Sequence, residues 1–391
     1  MAGRFGTHFR TVFLAALLQE LSFSLMLHFS GYAERLGATE PQIGLLYSCA
    51  AMVALVGRPT LGRVLDLVPR RSVLLAGGAL NVAALVGLMA ADAWGPHLWG
   101  VFLLLRIVQI FLFTAMLTMA ADLIPVESRT RGLALFGLSG LVPIALGGVI
   151  GDLVIEIADF DALFVVAAAA GAGSWLLVWR LPSAGEPVEH ERRSFWSALA
   201  QHDLLPLWLV TFCFALGLEA IFSFLRVYVE TQDVGSAGVF FAVYGVAGAV
   251  TRLLGRGLYE RVNPRPFVTA ALVAYAAGVT LLGVGTSGAL AGAALVCGVA
   301  HGAVFPMLSS QVVARARDAE RGSAMATFTA LFDIALLVGA PATGFLIDAR
   351  SYAAAFVAIA AVQVAGAVAY AAWDRRPVAT AAAASAVRSG P

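Results

Sequence analysis

Apolar stretches of about 20 residues recur along the 391-residue chain, separated by short breaks rich in glycine, proline or arginine. A hydrocarbon core about 30 Å thick takes about 20 residues of helix to cross. The pattern predicts twelve such spans, near 11–32, 43–62, 72–91, 98–120, 132–154, 162–181, 204–228, 237–257, 266–285, 288–313, 322–347 and 353–373. The run 267–300 carries no charge and is too long for one crossing, so Gly285-Thr286-Ser287-Gly288 supplies the dividing turn. Backbone groups in lipid must pair within their own segment, and the two-residue alternation of barrel strands is missing. The expected fold class is therefore an all-α membrane protein.

Composition agrees: 60% of residues are hydrophobic, 13% are charged, and mean hydropathy is +0.87, which a soluble domain does not carry. A net charge of +1 gives no reason to expect a nucleic-acid partner. Its distribution says more. Arg10, Arg70, Arg71, Arg129, Arg131, Arg180, Arg192, Arg193, Arg265, Arg315, Arg317, Arg375 and Arg376 fall on one side, while loops on the other side hold Arg35 and Arg350. The positive-inside rule then places both termini in the cytoplasm of a multi-pass protein of the cell (inner) membrane. The first span is too long for a signal-peptide core and carries Glu20 midway, so it is read as a retained helix. Cys49, Cys213 and Cys297 lie inside spans without a ligand spacing and read as packing residues.

The one long polar break, near 182–203, holds Glu186, Glu189, His190, Glu191, Arg192 and Arg193, and Ser194–Ala200 suits a short surface helix. It divides the chain into 1–181, with six spans, and 204–375, with six more, before an alanine-rich tail over 376–391 that is expected to be disordered. The halves echo each other. Glu20, Phe23 and Ser24 match Glu219, Phe222 and Ser223 in register; Gly44 precedes Arg58 by the same interval as Gly238 precedes Arg252. Segments 125–132 and 317–322 occupy matching places before spans five and eleven. Two six-helix halves about a central site form a transporter architecture.

Between the second and third spans, Gly62, Asp66, Arg70 and Arg71 fill the pattern G-x-x-x-D-x-x-G-R-R/K, with Pro69 where the pattern has glycine. This resembles the loop signature of the major facilitator superfamily (MFS) of secondary transporters, and the resemblance extends from residue 1 to about 375. It implies the MFS fold, about twelve helices in two pseudo-symmetric six-helix bundles, with spans one, four, seven and ten around the cavity. Spans three, six, nine and twelve would face lipid. It also implies a cytoplasmic gate in which Asp66 meets the start of span eleven, with Arg58 or Arg129 nearby; a helix N-terminus favours an anion by about 0.3–1 kcal/mol. Alternatively, these arginines only set topology.

Charged groups at mid-helix cost about 2.5–3.5 kcal/mol on insertion scales and need a partner or water. Glu20, Arg106, Glu219, Arg226 and Asp333 stand out, with His28 and His301 beside them. Glu20 and Glu219 would meet across the pseudo-symmetry axis, either to carry protons or to form static pairs with an arginine. Arg106 and Gln109 resemble the family's R-x-x-Q-G motif, with Ile110 replacing the glycine. Arg226 follows Glu219 by two turns and is open to three uses: pairing with it, binding an anion, or snorkelling outward. His301 suits either pH-dependent coupling or a hydrogen bond between helices. His28 lines the pore or touches an outer gate, and Asp333 either takes part in coupling or bonds another helix.

Gly137, Gly140, Pro143, Gly147 and Gly148 in span five form a degraded version of the family's antiporter motif. Residues 283–288 satisfy G-x-G-x-x-G but join two spans with no strand before them, and no Walker loop is present. The expectation is thus a non-enzymatic, monomeric secondary transporter without cofactor or metal, whose partners are a small molecule, protons and the lipid bilayer. Export of a small organic or amphipathic compound by proton antiport is favoured, with Phe23, Phe29, Phe111, Phe113, Phe222, Phe224 and Phe305 facing the cavity. Proton-coupled import of a metabolite or organic anion held by Arg106 and Arg226, and a non-transporting assembly or sensor role, remain open alternatives.

Overall fold

A computed structural model describes residues 6–124, 136–181, 200–255, 262–317 and 320–374, with the backbone alone at 59, 61–63, 65, 66, 121, 122 and 322. Among the described residues there are twelve long helices: α1 (Thr7–Arg35), α2 (Glu40–Leu67), α3 (Arg70–Leu88), α4 (Pro96–Leu123), α5 (Leu138–Ile157) and α6 (Phe160–Trp179), then α7 (Leu205–Gln232), α8 (Ala237–Leu254), α9 (Pro264–Leu282), α10 (Ser287–Arg315), α11 (Arg321–Ala349) and α12 (Tyr352–Trp373). Each is long and apolar enough to cross a membrane. Thr7 and Trp373 lie on one face, here the terminal face, and the short turns after α1, α3, α5, α7, α9 and α11 lie on the far face.

Those far-face turns are tight for identifiable reasons. Gly37, Gly235 and Gly285 have φ of +89°, +132° and +68°, which side chains on Cβ disfavour. Asp159, Ser236, Thr286 and Ser351 cap the following helices by accepting from the backbone N–H three residues on.

Observed helix ends lie close to the expected ones, with two instructive departures. Helix α2 continues to Leu67 and Pro69 caps α3, so positions 62 and 66 stand on the last turns of a helix rather than in a loop. Helix α1 runs farther than predicted and tightens into a 3-10 turn over Met26–His28. Arg129, positions 194–199 of the expected surface helix, and the tail 376–391 lie outside the described residues.

Helices α1–α6 pack among themselves, α1 against α5 and α6 and α3 against α4 and α6; α7–α12 do likewise through α8–α10, α9–α10, α9–α12 and α7–α11. Two seams join the sets, α2 with α11 and α5 with α8. Close approach depends on glycine. A Cβ on Gly44 would stand 2.5 Å from the Ala340 carbonyl oxygen, and one on Gly238 2.5 Å from that of Gly148. The far-face end of α1 also packs on α7. By contrast, α4 and α10 share no extensive contact among the described residues. Exposed Val86, Leu176, Val273 and Val368 on α3, α6, α9 and α12 suit lipid.

Candidate functional site

At mid-depth, α1, α4 and α7 bring Glu20, Arg106 and Glu219 to one region. The Arg106 guanidinium lies within Coulombic range of Glu20, Glu219 and Asp333, and both Arg106 and Glu219 act on Tyr47 of α2. All three central groups keep part of their surface accessible. Arg106 Nη1 donates to Gln109 Oε1 at 3.4 Å, one helical turn on, and its guanidinium sits 5.0 Å from the Phe23 ring centre. Among the described residues neither Glu20 nor Glu219 has a direct hydrogen bond or ion pair. The amide nitrogens of Gln19 and Gln109, both buried, are likewise without a partner among the described residues. Unpaired acids beside a loosely held guanidinium are costly in a dry interior, so these groups call for water or a ligand.

Asp333 sits in the α2–α11 seam. Its carboxylate accepts from Arg58 Nε at 2.7 Å and from Nη2, while Arg58 Nη1 donates to Thr329 Oγ1 at 3.2 Å. Ser48 Oγ continues the seam by donating to the Leu337 carbonyl at 2.7 Å. Arg71 does not reach α11: Nη2 donates to the Trp179 carbonyl at 2.9 Å, closing the end of α6. Arg70 stands beside it at the start of α3. Side-chain roles for Gly62, Asp66 and Arg129 fall outside the described residues.

Arg226 and His28 do not join the central group. Arg226 Nη1 donates to Asp152 Oδ1 and Nη2 to Glu230 Oε1, and Nη1 lies 3.2 Å from His28 Nδ1. Asp152 Oδ2 accepts from Ser236 Oγ and, at 2.7 Å, from the Gly238 N–H. This cluster ties α1 and α5 to α7 and α8 near the far face. Gly151 leaves space for the His28 ring and Gly31 for Arg226 and Glu230. Of the three uses that helical spacing leaves open for Arg226, pairing with Glu219 gives way to pairing with Asp152 and Glu230, because spacing shows only neighbours on one helix. Asp152 and Glu230 are functional candidates that the sequence signals only weakly, as an acid one turn after Gly148 and another one turn after Arg226.

His301 packs inside the second half. Its Nδ1 lies 2.6 Å from the Tyr244 hydroxyl, and its ring lies among Phe214, Tyr244 and Phe305. It therefore bonds between helices α8 and α10. Of the aromatics expected at the cavity, Phe29 and Phe224 are fully buried in the core and Phe113 is exposed; Phe23 stacks at the central site.

Twelve spans in two joined sets, with charged groups gathered at mid-depth on helices of both, have the architecture of a multi-pass membrane transporter. The chain belongs to the Major Facilitator Superfamily, whose profile matches residues 11–259 and 207–390. It is similar to an uncharacterized MFS-type transporter of Burkholderia mallei (strain SAVP1), 26% identical over 347 residues, covering 85% of this chain and 83% of that one. The inner membrane transport protein YajR of Escherichia coli (strain K12) is 26% identical over 194 residues, covering 48% of this chain and 42% of that protein. Among solved structures, a point mutant of the nucleoside transporter NupG superposes with a TM-score of 0.80 at 15% identity, covering 94% of this chain and all of that one. That last likeness concerns the fold.

Proposed function

We propose that this transporter works by alternating access as a monomer, exporting a small organic or amphipathic compound from the bacterial cytoplasm in exchange for protons. The observation that carries this reading is the central trio, in which Glu20 and Glu219 flank Arg106 without a direct ion pair between them. A carboxylate so placed takes a proton from one side and gives it up on the other as the cleft changes its hydration, while Arg106 balances whichever acid remains charged. Phe23 and the amide nitrogens of Gln19 and Gln109 add apolar and polar contacts for an organic substrate. The arginine distribution supports a cytoplasmic terminal face, and bacterial relatives, one named an inner membrane protein, support that membrane. Anion import held by Arg106 and Arg226 is less well supported, because Arg226 is engaged by Asp152 and Glu230.

Everted vesicles with an acidified interior and a pH-reporting dye test the reading against a panel of amphipathic organic compounds. A substrate should discharge the gradient, and Glu20→Gln or Glu219→Gln should abolish the response while the protein still assembles. Unchanged discharge in both variants would refute proton carriage by these acids.

A further inference from the structure

The far-face cluster carries a second inference, independent of the transport direction and of the central acids. We propose that His28 is a proton-binding site whose loading releases the closure between the two halves at the far face.

The protonation state follows from the partners. His28 Nε2 stands 3.2 Å from the Gly148 carbonyl oxygen, which only accepts, so Nε2 carries the hydrogen. Nδ1 stands 3.2 Å from Arg226 Nη1, which only donates, so Nδ1 presents its lone pair. His28 is thus the neutral Nε2–H tautomer, assigned from its hydrogen-bond network. Among the described residues, the charged groups that face it are Asp152 on α5, with Oδ1 3.5 Å from Nδ1, and Arg226 on α7. Glu230 lies behind Arg226, and Glu34 acts on Glu230 in turn.

A proton arriving at Nδ1 forms an N–H bond there while the Nε2–H bond is kept, giving imidazolium. That group has no lone pair to offer Arg226, and two cationic donors would face each other. A partner exchange resolves the conflict. His28 turns its new N–H to Asp152, which shares the first half with it, and Arg226 keeps Glu230, four residues along its own helix. With His28 neutral, parting the halves strips Asp152 of its guanidinium. With His28 charged, each half carries its own counter-ion pair when they part. The proton therefore binds more tightly to the parted state, and by linkage it drives parting. Water reaches the site through the acids: the side chains of Asp152 and Glu230 are 22% and 26% exposed, whereas that of His28 is 0% exposed.

The test uses the full chain in lipid nanodiscs, with Cys49, Cys213 and Cys297 replaced by alanine and spin labels at Ala158→Cys and Gln232→Cys. Both label positions are exposed on the far face, one in each half. Pulsed electron-spin distances are recorded from pH 8 to pH 5. The long-distance population should rise on acidification, by at most about tenfold per pH unit for one titrating group. His28→Gln should flatten this response, because its amide keeps the donor to Gly148 and an acceptor for Arg226 but takes no proton. Glu230→Gln, which removes the fallback partner of Arg226, should reduce the response several-fold. A parent distribution that does not change with pH overturns the proposal. So does a parent-like response in His28→Gln, or, if that variant does not assemble, in Glu230→Gln.

Discussion

Replacing Gly238 with alanine isolates what the glycines do at the seams. The added Cβ would stand 2.5 Å from the Gly148 carbonyl oxygen, 2.7 Å from Asp152 Oδ2 and 2.9 Å from its Cγ. The first distance falls about 0.9 Å short of the 3.4 Å at which ordinary contact begins, and the obstacle is backbone, which cannot swing aside. Overpacking of this kind costs about 1–3 kcal/mol. Because Gly148 belongs to the first half and Gly238 to the second, the strain falls on the closed far face and vanishes when the halves part. The equilibrium should therefore move toward far-face opening by about 5–150-fold. Spin-label distances between positions 158 and 232 at pH 8 read this directly, and thermal melting should change little. Gly298→Ala is the control: its Cβ would meet the Tyr244 carbonyl oxygen within the second half, so it should lower the melting temperature without changing the distances. If Gly238→Ala kept the parent's distances and only melted earlier, the seam would not be a surface on which the halves part.

Further outcomes rest on the same contacts. Asp333→Asn should weaken the α2–α11 seam by about 1–2 kcal/mol, a figure held down by the 26% and 17% exposure of the paired side chains; the reversed pair Arg58→Asp with Asp333→Arg should regain part of it in a melting assay. Tyr244→Phe removes the 2.6 Å contact to buried His301 and should cost about 1–3 kcal/mol of stability while leaving the pH profile of transport unchanged; a shifted profile would return His301 to the coupling machinery. Arg315→Leu leaves buried Asp374 without its two bonds, at 2.9 and 2.8 Å, and should lower the melting temperature more than the double variant Arg315→Leu with Asp374→Leu does.

The spans were legible because lipid imposes a length and an apolar composition that little else produces, and the central trio because a charge at mid-span needs a reason to be there. What stayed hidden was pairing across the halves. Arg58 meets Asp333 far away in sequence, and Arg226 meets Asp152; neither separation leaves a local period to read. His28 shows a second cause. Counted at 3.6 residues per turn it shares a face with Glu20, but the 3-10 turn over Met26–His28 winds at about 3.0, which rotates the remainder of the helix by about 60°. That rotation takes the His28 ring to Gly151 and Gly148 of α5.

The internal repeat makes the same point from the other direction. Gly44 and Gly238 stand at matching intervals before Arg58 and Arg252, and both glycines let their helix touch the backbone of the opposite half, α2 at Ala340 and Pro341 and α8 at Gly148. The arginines have diverged. Arg58 crosses to Asp333, whereas Arg252 lies 5.4 Å over the Phe305 ring in its own half. The seams thus share the geometry that permits rocking and differ in the charges that hold them. On α2–α11 the ion pair lies in the terminal half of the span, and on α5–α8 the cluster lies toward the far face. Parting the far face must break the second and strains the first much less, so a titratable group in the second cluster alone is enough to bias which face opens.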